Sequence, residues 1–369
     1  MPVPVVVVSS EAGPRTANAL LQLASQGMPS RTAALLPGRD ARLANEPALR
    51  VIRTRPQDVR LGEGCACCTV RGDLLKRIRG LARDGQTDRI LVHATPGDDL
   101  GVIAKTFTVA DESGSALESD AWLDGLVVVA GADELVRPRS PRALVERIEL
   151  ATVVSLDGDG ASAADRDRAT RMVRALNPTA RIIWADTGTT AVGTDAGDAP
   201  FDLGAALERA KLGDILDGNG RSQDDEINRF VFSARRPFHT ERLHAWLKAP
   251  PPGLLRARGG FWVATRPHVA VALDVAMADV QTDVEGHWWA AVPEDQRPTG
   301  PQWKAYQAQV WHEVFGDRRQ EIAFVGTELD EATTLSSLQA CLLTERELAA
   351  PTDWATAPHP FHWPTQEAQ

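Results

Sequence analysis

Three of the four cysteines in this 369-residue chain fall within four positions, Cys65-Ala66-Cys67-Cys68. Thiolates at C-x-C-C spacing can converge on one soft or borderline-soft cation, because a tight turn brings three sulfurs within about 2.3 Å of a common centre without long-range folding. Gly62 and Gly64, directly before the cluster, permit the sharp backbone path this needs. Three thiolates leave a tetrahedral metal one position short, which suits an ion that is delivered or sensed; Glu63, His93 or water are candidates for the fourth position. The competing readings are small, partly buried side chains or a Cys67–Cys68 disulfide, and a vicinal disulfide is strained. Zinc binding by Cys65, Cys67 and Cys68 is the expectation.

The elements that must position this cluster follow from hydrophobic periodicity. Through about residue 185, short apolar runs at 5–8, 90–92, 126–129, 153–156 and 182–184 alternate with amphipathic segments at 16–25, 141–150 and 163–176. That is βα repetition, and it predicts a mainly parallel sheet covered by helices. Leu74, Leu75, Ile78 and Leu81 recur at helical spacing, so the cysteines sit in a loop or turn at the entrance to a helix. From Thr187 the composition shifts to Gly, Asp, Thr and Ser, and Asp217-Gly218-Asn219-Gly220 is turn-rich. Residues 1–186 therefore read as one α/β domain and 187–225 as a linker. Residues 226–350 read as a smaller α+β domain, with strands at 229–234, 254–257, 261–264, 269–273 and 321–325 and helices near 241–247 and 302–314. The proline-bearing tail, 351–369, reads as irregular.

Composition narrows the function classes. An apolar content of 43% is ordinary for a globular protein, and the length exceeds the comfortable size of one core. Four cysteines in so long a chain do not make a disulfide framework, which points to a reducing compartment. The apolar opening at residues 1–8 carries no basic flank, and no run of about 18 apolar residues follows, so a cytoplasmic address without membrane attachment is expected. A net charge of −10 gives the whole molecule no general attraction to nucleic-acid phosphates, and DNA is not expected as a partner.

Gly64-Cys65-Ala66-Cys67-Cys68-Thr69-Val70-Arg71-Gly72-Asp73-Leu74-Leu75 resembles the G-C-x-C-C-T-x-R-x-D-L-L signature of the CobW family of metal-handling GTPases. Further along, residues 232–239 (FSARRPFH), 255–259, 262–267 and Gly286-His287-Trp288 are similar to the C-terminal domain of that family, in the same order. The resemblance implies a P-loop-NTPase-like domain followed by a CobW C-terminal domain, and zinc or cobalt handling. Its catalytic stations are altered here. Where the family has a G-x-x-G-x-G-K-T phosphate loop after its first strand, this chain reads Ser10-Glu11-Ala12-Gly13-Pro14-Arg15-Thr16-Ala17. A phosphate loop aims backbone N–H groups and a Lys at phosphates and a hydroxyl at Mg²⁺; Pro14 removes a donor, Glu11 adds a repelling charge and the Lys is missing. Gly13, Arg15 and Thr16 are the residues that would make up a nucleotide remnant, with Arg15-Thr16 as a displaced surrogate for Lys-Thr. The family's acidic strand end corresponds to the segment Val92-His93-Ala94-Thr95, and its N-K-x-D to Asp157-Gly158-Asp159-Gly160. The expectation is a pseudo-GTPase that does not use GTP or Mg²⁺; the alternative is an active GTP-dependent zinc metallochaperone with an atypical phosphate loop. The altered loop, with the segments 92–96 and 315–318, looks most like an actinobacterial branch of the family. That branch implies a zinc-limitation adaptor with a protein client, a ribosome or a ribosome hibernation factor as its partner.

Other residues carry two readings each. His239 with His244, and His359 with His362, can join a second metal site or be structural. Arg235-Arg236 can contact an anion or RNA, or be a solvated strand end. Trp288, Trp289, Trp303 and Trp311 can form an interaction face or a core, and Cys341 falls on a helical apolar pattern as core.

Overall fold

The structure, a computed structural model, describes residues 2–10, 14–25, 31–37, 49–54, 73–108, 117–137, 141–185, 201–216, 226–350 and 358–363. The chain divides into two compact units, Met1–Ala210 and Lys211–Gln369.

In the first unit, β1 (Val3–Ser9) buries nearly every side chain, the mark of a strand covered on both faces. It lies inside a sheet built with β2 (Thr32–Pro37), β3 (Leu49–Thr54), β4 (Arg89–Ala94), β5 (Ala121–Gly131), β6 (Val153–Asp157) and β7 (Arg181–Ala185). The order is β3-β2-β4-β1-β5-β6-β7 and every pairing is parallel. The connecting helices are α1 (Pro14–Ser25), α2 (Asp73–Arg83), α3 (Leu100–Lys105), α4 (Ala132–Val136), α5 (Arg142–Leu150) and α6 (Ala163–Leu176), followed by α7 (Leu203–Ala210). Leu20 and Leu23 of α1 pack on Val6, Val8, Leu91 and Val127 of the sheet. The chain leaves β1 through α1 towards β2, whereas from β4 it crosses to β5 on the other side of β1. The direction of winding therefore reverses between β1 and β4, and the crevice outside their carboxyl ends is where such sheets hold ligands.

Two polar devices fix the frame at the opposite edge of the sheet, beside the amino ends of its strands. Asn177 is fully buried after α6 and its amide donates to the carbonyls of Ile148 and Ala151, both at 2.8 Å. Arg83 and Arg79 of α2 donate to the Asp120 carboxylate at 2.8 and 3.1 Å, and these bonds hold that carboxyl below its usual range. They tie down the helix that leaves the cysteine segment.

In the second unit, β8 (Ile227–Ala234), β9 (Leu254–Phe261), β10 (Val269–Ala276), β11 (Asp279–His287) and β12 (Gln320–Thr327) form an antiparallel sheet in the order β11-β10-β9-β12-β8. Helices α8 (Thr240–Leu247) and α10 (Glu331–Cys341) help to bury Phe230, Phe232, Phe238, Phe261 and Phe324. A further helix, α9 (Pro301–Val310), has no fully buried residue.

Several elements differ from the sequence reading. The span 187–225 carries α7 and a short helix, Gly213–Leu216, and the boundary between the units falls between them. Phe261 closes β9 rather than opening a new strand, and Val263 makes only an isolated bridge to Phe238. Helix α9 stops at Val310 because Trp311 turns extended and a tight turn follows, closed by reciprocal 2.7 and 2.8 Å bonds between His312 and Gly316. The tail stretch 358–363 has no regular structure but is docked. Trp363 is 7% exposed within the second core, and its Nε1 donates to Thr282 Oγ1 at 2.9 Å.

Candidate functional site

Arg15 and Thr16 lie in the first turn of α1, the place of Lys-Thr in a phosphate loop. Arg15 nevertheless faces its own chain. Its Nε donates to Asp157 Oδ2 at the end of β6 at 2.5 Å, and its Nη1 donates to Glu134 Oε1 at 2.9 Å, just after β5. Asp133 Oδ1 stands 4.0 Å from Nη2. Burial alone would lower the Arg15 pKa; the bond to Asp157 and the charges of Asp157, Glu134 and Asp133 reverse that and hold it above the usual arginine value. The two main partners are themselves fixed, Glu134 by accepting from the Gly131 N–H at 3.3 Å and Asp157 by accepting from the Asp159 N–H at 3.0 Å.

Beside this cluster, a buried polar group closes the switch point. Thr16 Oγ1 lies 2.7 Å from Ser10 Oγ, so the hydroxyl that a phosphate loop turns to Mg²⁺ is engaged within the chain. His93 is buried near the end of β4. Its Nε2 sits 3.2 Å from both Ser10 Oγ and the Ser10 carbonyl oxygen. A carbonyl only accepts, so the bond to the Ser10 carbonyl forms only from a protonated Nε2. Arg147 of α5, also buried, donates to Ser9 Oγ at 3.1 Å. At the far end of the crevice, Arg166 of α6 lies 5.1 Å from the Trp184 ring centroid and donates to the Gly158 carbonyl at 3.1 Å.

Cys65, Cys67, Cys68 and Gly13 lie outside the described residues. Among the described residues, no three His, Cys, Asp or Glu side chains are placed to hold a metal. His359 bonds to Thr265 Oγ1 at 3.1 Å, and burial, helped by Arg266, pushes its pKa down to about 4. His244 packs edge-on to Phe361 at 5.2 Å. Arg235 and Arg236 each donate to a main-chain carbonyl, Val310 at 2.8 Å and Leu343 at 3.1 Å, which is a structural use of the pair. Trp288 is core, while Trp289, Trp303, Tyr306 and Trp311 form a half-buried chain of ring contacts at 5.5–6.1 Å. Cys341 is buried, and that burial pushes its thiol pKa up.

Sequence reasoning missed Asp133, Glu134 and Arg166, and it placed Asp157 only as a lost guanine-reading position. A signal was present: acidic residues directly follow two consecutive apolar strands.

Comparison with known proteins gives two family matches. Residues 40–184 match the CobW/HypB/UreG nucleotide-binding domain, and residues 227–342 match the cobalamin synthesis protein cobW C-terminal domain. The chain is 27% identical over 352 residues to the zinc-regulated GTPase metalloprotein activator 1 of Dictyostelium discoideum, covering 86% of this chain and 74% of that one. It is 26% identical over 341 residues to a zinc chaperone of Mycobacterium tuberculosis, covering 84% and 80%. Among solved structures, the Zn(II)-bound YjiA GTPase of E. coli aligns over 93% of this chain and 100% of that chain, at 14% identity and a TM-score of 0.38. At that distance it adds nothing about function. No described helix is long and apolar enough to cross a membrane.

Proposed function

From a chain that belongs to the CobW family by both of its domains, we propose a zinc-linked protein that binds zinc through Cys65, Cys67 and Cys68 and acts on a protein client without hydrolysing GTP. The observation that carries this reading is the engagement of Arg15 by Asp157, Glu134 and Asp133 at the head of α1. Phosphoryl transfer needs a cation aimed at the phosphates, a hydroxyl and an acid that organise Mg²⁺, and a base clamp. Among the described residues the cation is turned to three carboxylates, the Thr16 hydroxyl to Ser10, and the strand end is His93. These residues do not fit a magnesium nucleotide, which supports a noncatalytic role for the domain.

Three thiolates are a donor set that suits zinc as cargo or signal, and the relatives named for zinc support that choice. A metal that orders or releases the loop biases any interface the loop helps to form, by its difference in affinity between the free and bound states. The client is proposed to be a protein, with a ribosome or a hibernation factor as the form it takes under zinc limitation. Competition against a chromophoric chelator tests the metal step, and the triple-Ser variant is expected to lose zinc by orders of magnitude. Single-turnover assays with GTP and Mg²⁺ test the other step. Unchanged zinc uptake in that variant, or Mg²⁺-dependent turnover that collapses in Arg15→Ala, would overturn the reading.

A further inference from the structure

We propose that Arg15 is a resident intramolecular ligand of the crevice: it takes the place of a bound phosphate and cation as the link between α1, the β5–α4 junction and the end of β6, and so keeps the domain closed with no nucleotide. This rests on the proposed noncatalytic reading and extends it from a missing activity to a built replacement.

The seat of Arg15 is shaped for it. A Cβ placed on Gly131 would crowd the Asp133 carboxylate and lie 2.8 Å from Arg15 Nη1 and 3.1 Å from Nη2, so the guanidinium and its acidic partner lie close over the glycine. The same device recurs one strand further on, where a Cβ on Gly158 would lie 2.6 Å from Arg166 Cζ. Two guanidinium groups, each resting on a glycine at a strand end, thus fill the carboxyl edge from β5 to β7. The charge balance is local as well. Asp157 and Glu134 are only 19% and 28% exposed, and a carboxylate in such a place calls for a cation. Here the chain supplies the cation at a fixed position, with a planar fork that can meet two carboxylates at once.

The expected behaviour differs from that of a nucleotide switch. The thermal transition of the wild-type protein should not move on adding GTP or ATP with Mg²⁺. Arg15→Ala should lower the transition of the first domain by roughly 3–6 °C, because Asp157 and Glu134 lose their cation while Asp133 keeps its pair with Arg137. That variant should then gain a dependence on Mg²⁺ or Ca²⁺, with saturating metal restoring about 2–4 °C. Arg15→Lys, which keeps the charge, should stay nearer wild type and show no metal response. Adding Asp157→Asn and Glu134→Gln to Arg15→Ala should abolish the metal response.

The experiment is differential scanning fluorimetry of the full chain and these variants, with and without each metal and nucleotide. An Arg15→Ala protein with the wild-type transition and no metal response overturns the inference. So does a wild-type protein stabilised by GTP–Mg²⁺ through Arg15. Zinc uptake by the cysteines is measured separately, so failure of the resident-ligand idea is distinguishable from failure of the zinc reading.

Discussion

Replacing Trp363 with Ala tests whether the tail is part of the second domain's core. The indole is 7% exposed, stacks on Phe361 at 4.5 Å between centroids, and lies 6.1 Å from Phe261 of β9. A buried Trp removes about 150–250 Å² from water, which at about 25 cal/mol per Å² is roughly 4–6 kcal/mol. The bond from Nε1 to Thr282 contributes about 1 kcal/mol more. Against this stands the ordering of residues 358–363, at about 1–2 kcal/mol per residue. That cost is at least as large as the gain from Trp363, so docking also draws on the other tail contacts, Phe361 among them, and Trp363 is the main anchor of a small net stabilisation. Once the anchor is gone the tail can leave, so the loss is capped at the net docking energy plus the exposure of Phe261. The expected loss is about 2–4 kcal/mol, a fall of roughly 5–15 °C in the transition of this domain. Urea unfolding followed by far-ultraviolet circular dichroism reads the loss, and limited chymotrypsin digestion reads release of the tail at Phe361. Thr282→Val, which removes only the hydrogen bond, should lose about 1 kcal/mol. If Trp363→Ala stays within about 0.5 kcal/mol of wild type and the tail remains protease-resistant, the anchoring argument is refuted.

The same docking predicts a pH dependence, and the pairing of β9 with β12 explains a glycine. The folded pKa of His359, about 4, lies below the unfolded value of 6.5, so the unfolded chain binds the extra proton first; stability should be full above about pH 6.5 and fall towards pH 4. His359→Gln should flatten that slope in urea midpoints measured at the two ends of the window, and an unchanged slope would remove His359 as its source. At Gly259, φ is +153° and an added Cβ would lie 2.7 Å from Ile322 Cα, with the Glu321 carbonyl oxygen closer still. Gly259→Ala should therefore destabilise the second domain by about 2–4 kcal/mol, by backbone clash rather than by any lost ligand contact, and a near-neutral effect would contradict it.

What the sequence made legible was whatever hydrophobic period alone decides. β1 and β4 to β7 are apolar runs because both faces of a parallel sheet are covered, and α1, α5 and α6 repeat at helical spacing because one face must meet that sheet. β11 was not legible, since its outward positions are Asp279, Gln281, Asp283 and Glu285 and only Val280 and Val284 mark its inner face. The docked tail escaped for a related reason: prolines and histidines read as irregular, and irregular backbone is no bar to burial when a Trp and its neighbours supply the apolar area. At the crevice, the missing Lys and acid could be counted along the chain, but what replaced them could not. The partners of Arg15 come from two other strand ends, Asp157 lying 142 positions away and Glu134 119 positions away, and only the parallel order β1-β5-β6 brings them together. A lost motif in one segment and three acids in two others look like unrelated drift in sequence. In space they are one charge balance. Gly131 lies under that balance, where an added side chain would meet both the Arg15 guanidinium and the Asp133 carboxylate and would have to displace one of them.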